Sequence, residues 1–230
     1  MIGIIGAMDE EISQIVDLMT EVSVVEMADM TFKKGRIGDK DVVAVRSGIG
    51  KVNAAICTQI LATHFKVNAV INTGVAGSLR NEINIGDIVI STDALQHDMD
   101  ATGFGYAKGV IPRMKVSTFV ADEMLCEAAC KACEMAGLDI GIFKGRVVSG
   151  DQFITDRITK KNLIDTFDGY CTEMEGAAIA QAAYLNNIPF IIIRAISDKA
   201  DDSANMDYSV FERHAIDNSV ALLKQMIAII

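Results

Sequence analysis

No stretch constrains this chain more than Tyr170 to Asp198, which reads as extended, helical and extended again. Tyr170, Cys171, Thr172, Glu173, Met174 and Glu175 have the pattern of a strand, and Gly176 to Tyr184 is rich in alanine and other strong helix formers. Asn186, Asn187 and Pro189 close that helix. Phe190, Ile191, Ile192 and Ile193 then form an apolar run of the kind found in strands covered on both faces, and the run delivers Arg194, Ser197 and Asp198 at its carboxyl end. The pattern predicts a βαβ unit whose polar residues stand at strand ends, where α/β proteins bind ligands.

Two acids in this unit are expected to differ. Glu175 falls at a helix amino terminus, where unpaired N–H groups and the helix dipole favour an ionised carboxylate. Asp198 follows an apolar strand, so partial burial is expected to raise its pKa and let it hold a proton near neutral pH. Carboxylates pushed apart in this way suit an acid and an electrostatic partner. The plainer alternative is that Glu173 and Glu175 are solvated and that Asp198 caps the next segment.

With 230 residues, half of them hydrophobic and only two prolines, the chain buries a large core as one domain. Its apolar runs are far shorter than the ~18 residues of a membrane helix, and Met1 to Gly6 has no basic leader, which points to a cytoplasmic protein that uses no membrane. A formal charge of −10 argues against nucleic acid, whose binding needs a basic surface, and favours a substrate without phosphate. Five cysteines fit reduced thiols. Cys126, Cys130 and Cys133 have iron–sulfur ligand spacing, but within the alanine-rich Asp122 to Ala136 they mark one buried helix face.

Along the chain, Ile2, Ile4 and Ile5 predict a first strand that turns through Gly6, Ala7 and Met8 into a helix opened by Asp9, Glu10 and Glu11. Three acids there would repel a phosphate, so the glycines do not read as a dinucleotide loop; the acids complement the helix dipole. Ser23 to Glu26, Thr31 to Ile37 and Val42 to Val45 predict a meander. Ser47 to Lys51 forms a glycine turn into the helix Val52 to Phe65, and the strand Ala69 to Asn72 ends in a loop, Thr73 to Ser78, where backbone can approach a ligand. Gly86 to Ser91 and Ile142 to Val148 are further strands. His97, Asp98 and Asp100 crowd one polar loop and carry only a weak metal signal. The last helix, about Tyr208 to Ile229, turns Val210, Phe211, Ala215, Val220, Leu223 and Met226 inward. There is no repeat, so the pattern predicts a single α/β domain on a mixed, mainly parallel sheet.

Gly3 to Glu11 (GIIGAMDEE), Ser47 to Val52 (SGIGKV), Asn72 to Gly77 (NTGVAG), Gly86 to Ser91, His97 to Tyr106, Ser149 to Ile154 (SGDQFI), Glu173 to Ala178 (EMEGAA) and Arg194 to Asp198 (RAISD) occur in one order. Together they resemble the 5'-methylthioadenosine/S-adenosylhomocysteine nucleosidases, of the nucleoside phosphorylase fold, over essentially the whole chain. The resemblance implies hydrolysis of the N-glycosidic bond of a 5'-thio-substituted adenosine, as in methionine salvage, without metal or cofactor. By the family's pattern Asp198 donates to adenine N7, backbone groups of Ile154 read the purine edge, and Phe153 stacks on the base. Glu175 holds the ribose hydroxyls, Met174 lines the ribose, Glu11 takes a proton from the attacking water, and Arg194 helps place that water. Met8, Ile49 and Phe211 form the 5'-thio pocket, with Phe104 and Pro112 reaching in from a second subunit of a homodimer. Ala7, Val75, Ala76, Gly77, Glu173 and Ser197 complete the contacts expected with substrate. Many members carry serine where this chain has Val75, so only backbone contact is available there.

Three rivals remain. A phosphorylase of the same fold would need arginines where Asp9, Glu10 and Glu11 stand. A nucleosidase for another adenine nucleoside, such as 5'-deoxyadenosine or aminodeoxyfutalosine, would differ only in the 5' pocket. A nonenzymatic nucleoside-binding protein should lack Glu11, Glu175 or Asp198, and all three are present.

Overall fold

In the computed structural model the backbone is described for residues 1–230, and so is every side chain except those of residues 205–207, 209 and 212. Ten strands are interleaved with six helices. They are β1 (Ile2–Gly6), α1 (Asp9–Asp17), β2 (Thr20–Met27), β3 (Met30–Ile37), β4 (Lys40–Arg46), α2 (Lys51–Ile60), β5 (Ala69–Ser78), β6 (Ile88–Gln96), β7 (Thr118–Val120), α3 (Glu123–Ala136), β8 (Ile142–Ser149), α4 (Arg157–Phe167), β9 (Cys171–Glu173), α5 (Gly176–Leu185), β10 (Phe190–Asp198) and α6 (Ala204–Ile229). After α2 the chain widens into one π-helical turn, Leu61–Phe65.

The strands form one mixed sheet, as the sequence predicts. Parallel pairs join β4, β1, β5 and β10 at its centre, and the antiparallel meander β2–β3–β4 extends one edge. The other side curls: β10 pairs with β6, β6 with β8, β8 with β9, and β9 returns to β5, so five strands close a ring. The apolar runs follow from burial on both faces. On β10, Phe190, Ile192 and Ile196 pack with Ala54 and Cys57 of α2 and the alanines of α5, whereas Ile191, Ile193 and Ala195 pack with α1, α3 and α6. Cys133 is buried in that second layer and Cys126 and Cys130 lie against it, so the three cysteines mark one helix face.

Three expectations are corrected. β9 runs antiparallel to β5, which is parallel to β10, so β9–α5–β10 is not a parallel βαβ unit. Thr73 to Ser78 is not a loop but the second half of the ten-residue β5, because it gains partners on β10 and β9. Asp198 does not follow β10 but ends it: Ile196 faces Ala76 and Asp198 faces Gly77, so Ser197 is the extra residue of a β-bulge that re-aims the strand end. Helix α4 and strand β7 lie in stretches where no element was expected.

Candidate active site

A cavity of about 320 Å³ opens where the closed ring meets the turn into α1. Ala7, Met8 and Glu11 come from that turn, Ile49 from the loop after β4, and Val75, Ala76 and Gly77 from β5. Gln152, Phe153 and Ile154 follow β8; Thr172, Glu173, Met174 and Glu175 come from β9 and the turn after it; Ser197 and Asp198 end β10; and Tyr208 stands on α6. The site therefore sits over β5, between strands of opposite direction.

Glu11 does more than complement a helix dipole. Asp9 and Glu10 are exposed, but Glu11 is buried, and its Oε2 accepts from the N–H groups of Ala7 (2.6 Å) and Met8 (3.1 Å), closing the first turn of α1. Its Oε1 accepts from the N–H of Val75 at 3.1 Å, which ties α1 to β5. Burial raises its pKa above the ordinary carboxyl value, against the pull of Arg194 and these three N–H groups.

Arg194 lies beneath the acids and is only 1% exposed. Its Nη2 donates to Glu173 Oε2 and to Asn72 Oδ1 (2.6 Å), and stands 3.8 Å from Glu175 Oε2. Glu173 in turn receives the N–H groups of Glu175 (3.1 Å) and Gly176 (2.8 Å) and the Ser149 hydroxyl, whose oxygen accepts from Ala177 N–H at 2.7 Å. Glu173 is thus the residue that caps α5.

Glu175 has a different setting from the one expected of it. It precedes α5 but makes no capping bond to that helix; its Oε1 accepts from Gly50 N–H at 2.8 Å. Burial, and then the neighbouring Glu173 carboxylate, push its pKa up to about 7 despite Arg194. The helix terminus that was to keep Glu175 ionised is occupied by Glu173. A group raised in this way favours folding while protonated, so its contribution is full below the ordinary carboxyl value and is lost as pH rises towards about 7.

Asp198 is 1% exposed; its Oδ2 accepts from the Ser197 hydroxyl at 2.9 Å and its Oδ1 from Ala200 N–H at 2.8 Å. Close backbone approach decides one neighbouring position. A Cβ on Gly74 would lie 2.1 Å from Arg194 Nη1 and 2.5 Å from Glu11 Oε1. We expect Gly74→Ala to displace both side chains and to lower the melting temperature by several degrees. A calorimetric melt matching the parent would refute this.

The structure brings together on the cavity every expected contact residue except four. Arg194 stands behind the wall; Phe211 is 39% exposed and lies off the lining; Phe104 is 85% exposed; and Pro112 is partly exposed. Tyr208, one helical turn before Phe211, takes the place expected of it: its ring meets Phe153 edge-on at 5.8 Å and its hydroxyl donates to Met8 Sδ at 3.4 Å. Tyr208, Gln152 and Thr172 were not singled out by sequence, although each adjoins a residue or motif that was. The polar loop is used internally. Asp98 accepts from Lys51 Nζ (2.6 Å) and from Asp151 N–H (3.0 Å), and Asp100 from Thr102 N–H (2.9 Å).

The phosphorylase superfamily profile matches residues 1–228. The chain is 42% identical to the 5'-methylthioadenosine/S-adenosylhomocysteine nucleosidase of Staphylococcus carnosus over 228 residues, 99% of each chain. It superposes with a TM-score of 0.94 on the corresponding nucleosidase of Neisseria meningitidis in complex with methylthio-immucillin-A, at 36% identity, covering 98% of this chain and 97% of that one. It also superposes with a TM-score of 0.95 on the futalosine hydrolase of Helicobacter pylori, at 32% identity, covering 100% and 97%. Closed ring, buried acids and full-length identity agree: the chain belongs to the phosphorylase superfamily, among the 5'-methylthioadenosine/S-adenosylhomocysteine nucleosidases.

Proposed function

We infer that this chain hydrolyses the N-glycosidic bond of 5'-methylthioadenosine and S-adenosylhomocysteine, releasing adenine and the 5-thioribose product. One observation carries the choice of water over phosphate as acceptor. Among the described residues the cavity lining includes Glu11, Glu173, Glu175 and Asp198 but no lysine, arginine or histidine, and Arg194 is already engaged by Glu173 and Asn72. A phosphate dianion would find no free cation among those residues.

The roles follow from chemistry that builds positive charge on the ribose and negative charge on the departing base. Asp198 gives a proton to adenine N7, so the base leaves neutral, while Ile154 reads the purine edge through its backbone and Phe153 stacks on the ring. Glu175 holds the ribose hydroxyls, with Met174 beside the sugar, and in its ionised form stabilises the oxocarbenium-like ribose. Glu11, with its pKa raised by burial, takes the proton of the attacking water. Arg194 holds the acids in place. Ala7, Val75, Ala76, Gly77, Glu173 and Ser197 shape the remaining wall, and Met8 and Ile49, with Tyr208 in the place expected of Phe211, form the 5'-thio pocket. The structural likeness to a futalosine hydrolase favours a second reading, in which the same machinery acts on another adenine nucleoside.

Residues 1–230 act in this reading as one nucleosidase domain, a cytoplasmic enzyme of methionine salvage. The protein is a homodimer, since Phe104 stands 85% exposed in the loop that also carries Tyr106 and Pro112, and a second copy would cover it and complete the 5' end of the site. Sedimentation should give a dimer; a fully active monomer would contradict it. Incubating 5'-methylthioadenosine with and without phosphate should yield adenine and methylthioribose at the same rate. A phosphorylated sugar would overturn the hydrolase reading.

A further inference from the structure

Asp198 ends β10, and the chain leaves it through a strained turn. Ala200 has a φ of +49°, in the left-handed region that a residue with a Cβ enters only at a cost in energy. In this turn the Ala200 N–H reaches Asp198 Oδ1 at 2.8 Å. Strain of this kind persists only where the surroundings hold it. Ala200 shares one buried cluster with Leu163 and Phe167 of α4, and two lysines grip the turn. Lys199, within it, donates from Nζ to Ile83 O at 2.5 Å. Lys160, on α4, is 8% exposed; its Nζ donates to Lys199 O at 2.6 Å and stands 4.0 Å from Asp201 Oδ2. Burial lowers the Lys160 pKa, while the Asp201 and Asp198 carboxylates favour its charge. A cation buried at such a cost thus holds the carbonyl of the residue that follows Asp198.

We propose that Lys160 is a positioning residue for departure of the base, which acts through the peptide between Lys199 and Ala200 to hold the Asp198 carboxyl in its proton-donating orientation. The proposal rests on the nucleosidase reading, in which Asp198 protonates the base. That peptide is planar, so its C=O and its N–H turn together. Lys160 takes the C=O end and Asp198 Oδ1 accepts from the N–H end, so fixing one fixes the other. Proton transfer depends steeply on the placement of the donor, and a turn free to relax out of the left-handed region would release it. Lys160 itself stands off the cavity lining and touches no substrate.

Steady-state kinetics on two substrates tests this on the intact protein. Lys160→Met keeps the length of the stem and removes the cation; on 5'-methylthioadenosine its kcat should fall about tenfold, with KM within about twofold. On the 4-nitrophenyl 5-thioriboside, whose leaving group needs no proton, its rate should stay within about twofold of the unaltered protein, whereas a general loss of structure would slow both substrates alike. Lys160→Gln should show the same split and serves if the methionine variant does not fold. Unchanged kcat on 5'-methylthioadenosine, or equal losses on the two substrates, would overturn the proposal. Failure of the unaltered protein to release adenine would instead count against the nucleosidase reading.

Discussion

Asp198→Asn should lower kcat by on the order of 10² or more on 5'-methylthioadenosine, the range for a lost general acid, with a smaller change in KM. The substitution preserves size, and its single oxygen can still accept from Ala200 N–H while its NH2 donates to the Ser197 hydroxyl oxygen, so the fold should survive. The loss arises because a side-chain amide cannot deliver a proton to N7 and the base would have to leave as an anion. Steady-state kinetics with a matched thermal melt checks it. Near-normal turnover would make Asp198 a structural cap.

Arg194→Met should cause the largest loss of stability, roughly 3–5 kcal/mol, as when a buried charge group loses its partner. The side chain is 1% exposed and interacts with Glu173, Glu175 and Glu11, none of them more than 7% exposed. Its removal also lets the Glu11 and Glu175 pKa values rise further, since Arg194 holds both down. The sign is definite: raised carboxyls favour folding while protonated, so the variant should be less impaired near pH 5 and progressively worse as pH rises towards and past 7. Denaturant melts at both pH values measure this. A deficit independent of pH would mean that packing, not the buried charge, dominates.

Much of this was legible in sequence because both periodicity and chemistry are local. The Phe190 to Ile193 run announced a strand covered on both faces, and Glu173 to Glu175 with Arg194 to Asp198 announced the acids. Ring closure was not legible. Whether β9 runs with or against β5 depends on pairing between residues about a hundred positions apart, and no local pattern encodes that direction. The Glu175 expectation failed for the same reason: its helix terminus is contested by Glu173, two residues earlier, whose side chain wins only because Ser149 and Arg194 converge on it in three dimensions. Thr172 was not legible as a cavity residue, because its place on the wall comes from pairing with Gly77 across the sheet.

In the proposed mechanism one acid, Asp198, protonates the departing base while Glu11 and Glu175 act on the water and the sugar. A 5-thioriboside whose leaving group departs readily as an anion, such as 4-nitrophenolate, separates these roles in one measurement. Release of nitrophenolate by Asp198→Asn should approach the rate of the unaltered protein, while Glu11→Gln and Glu175→Ala stay slow. Equal impairment of all three variants on this substrate would contradict the assignment of the proton to Asp198.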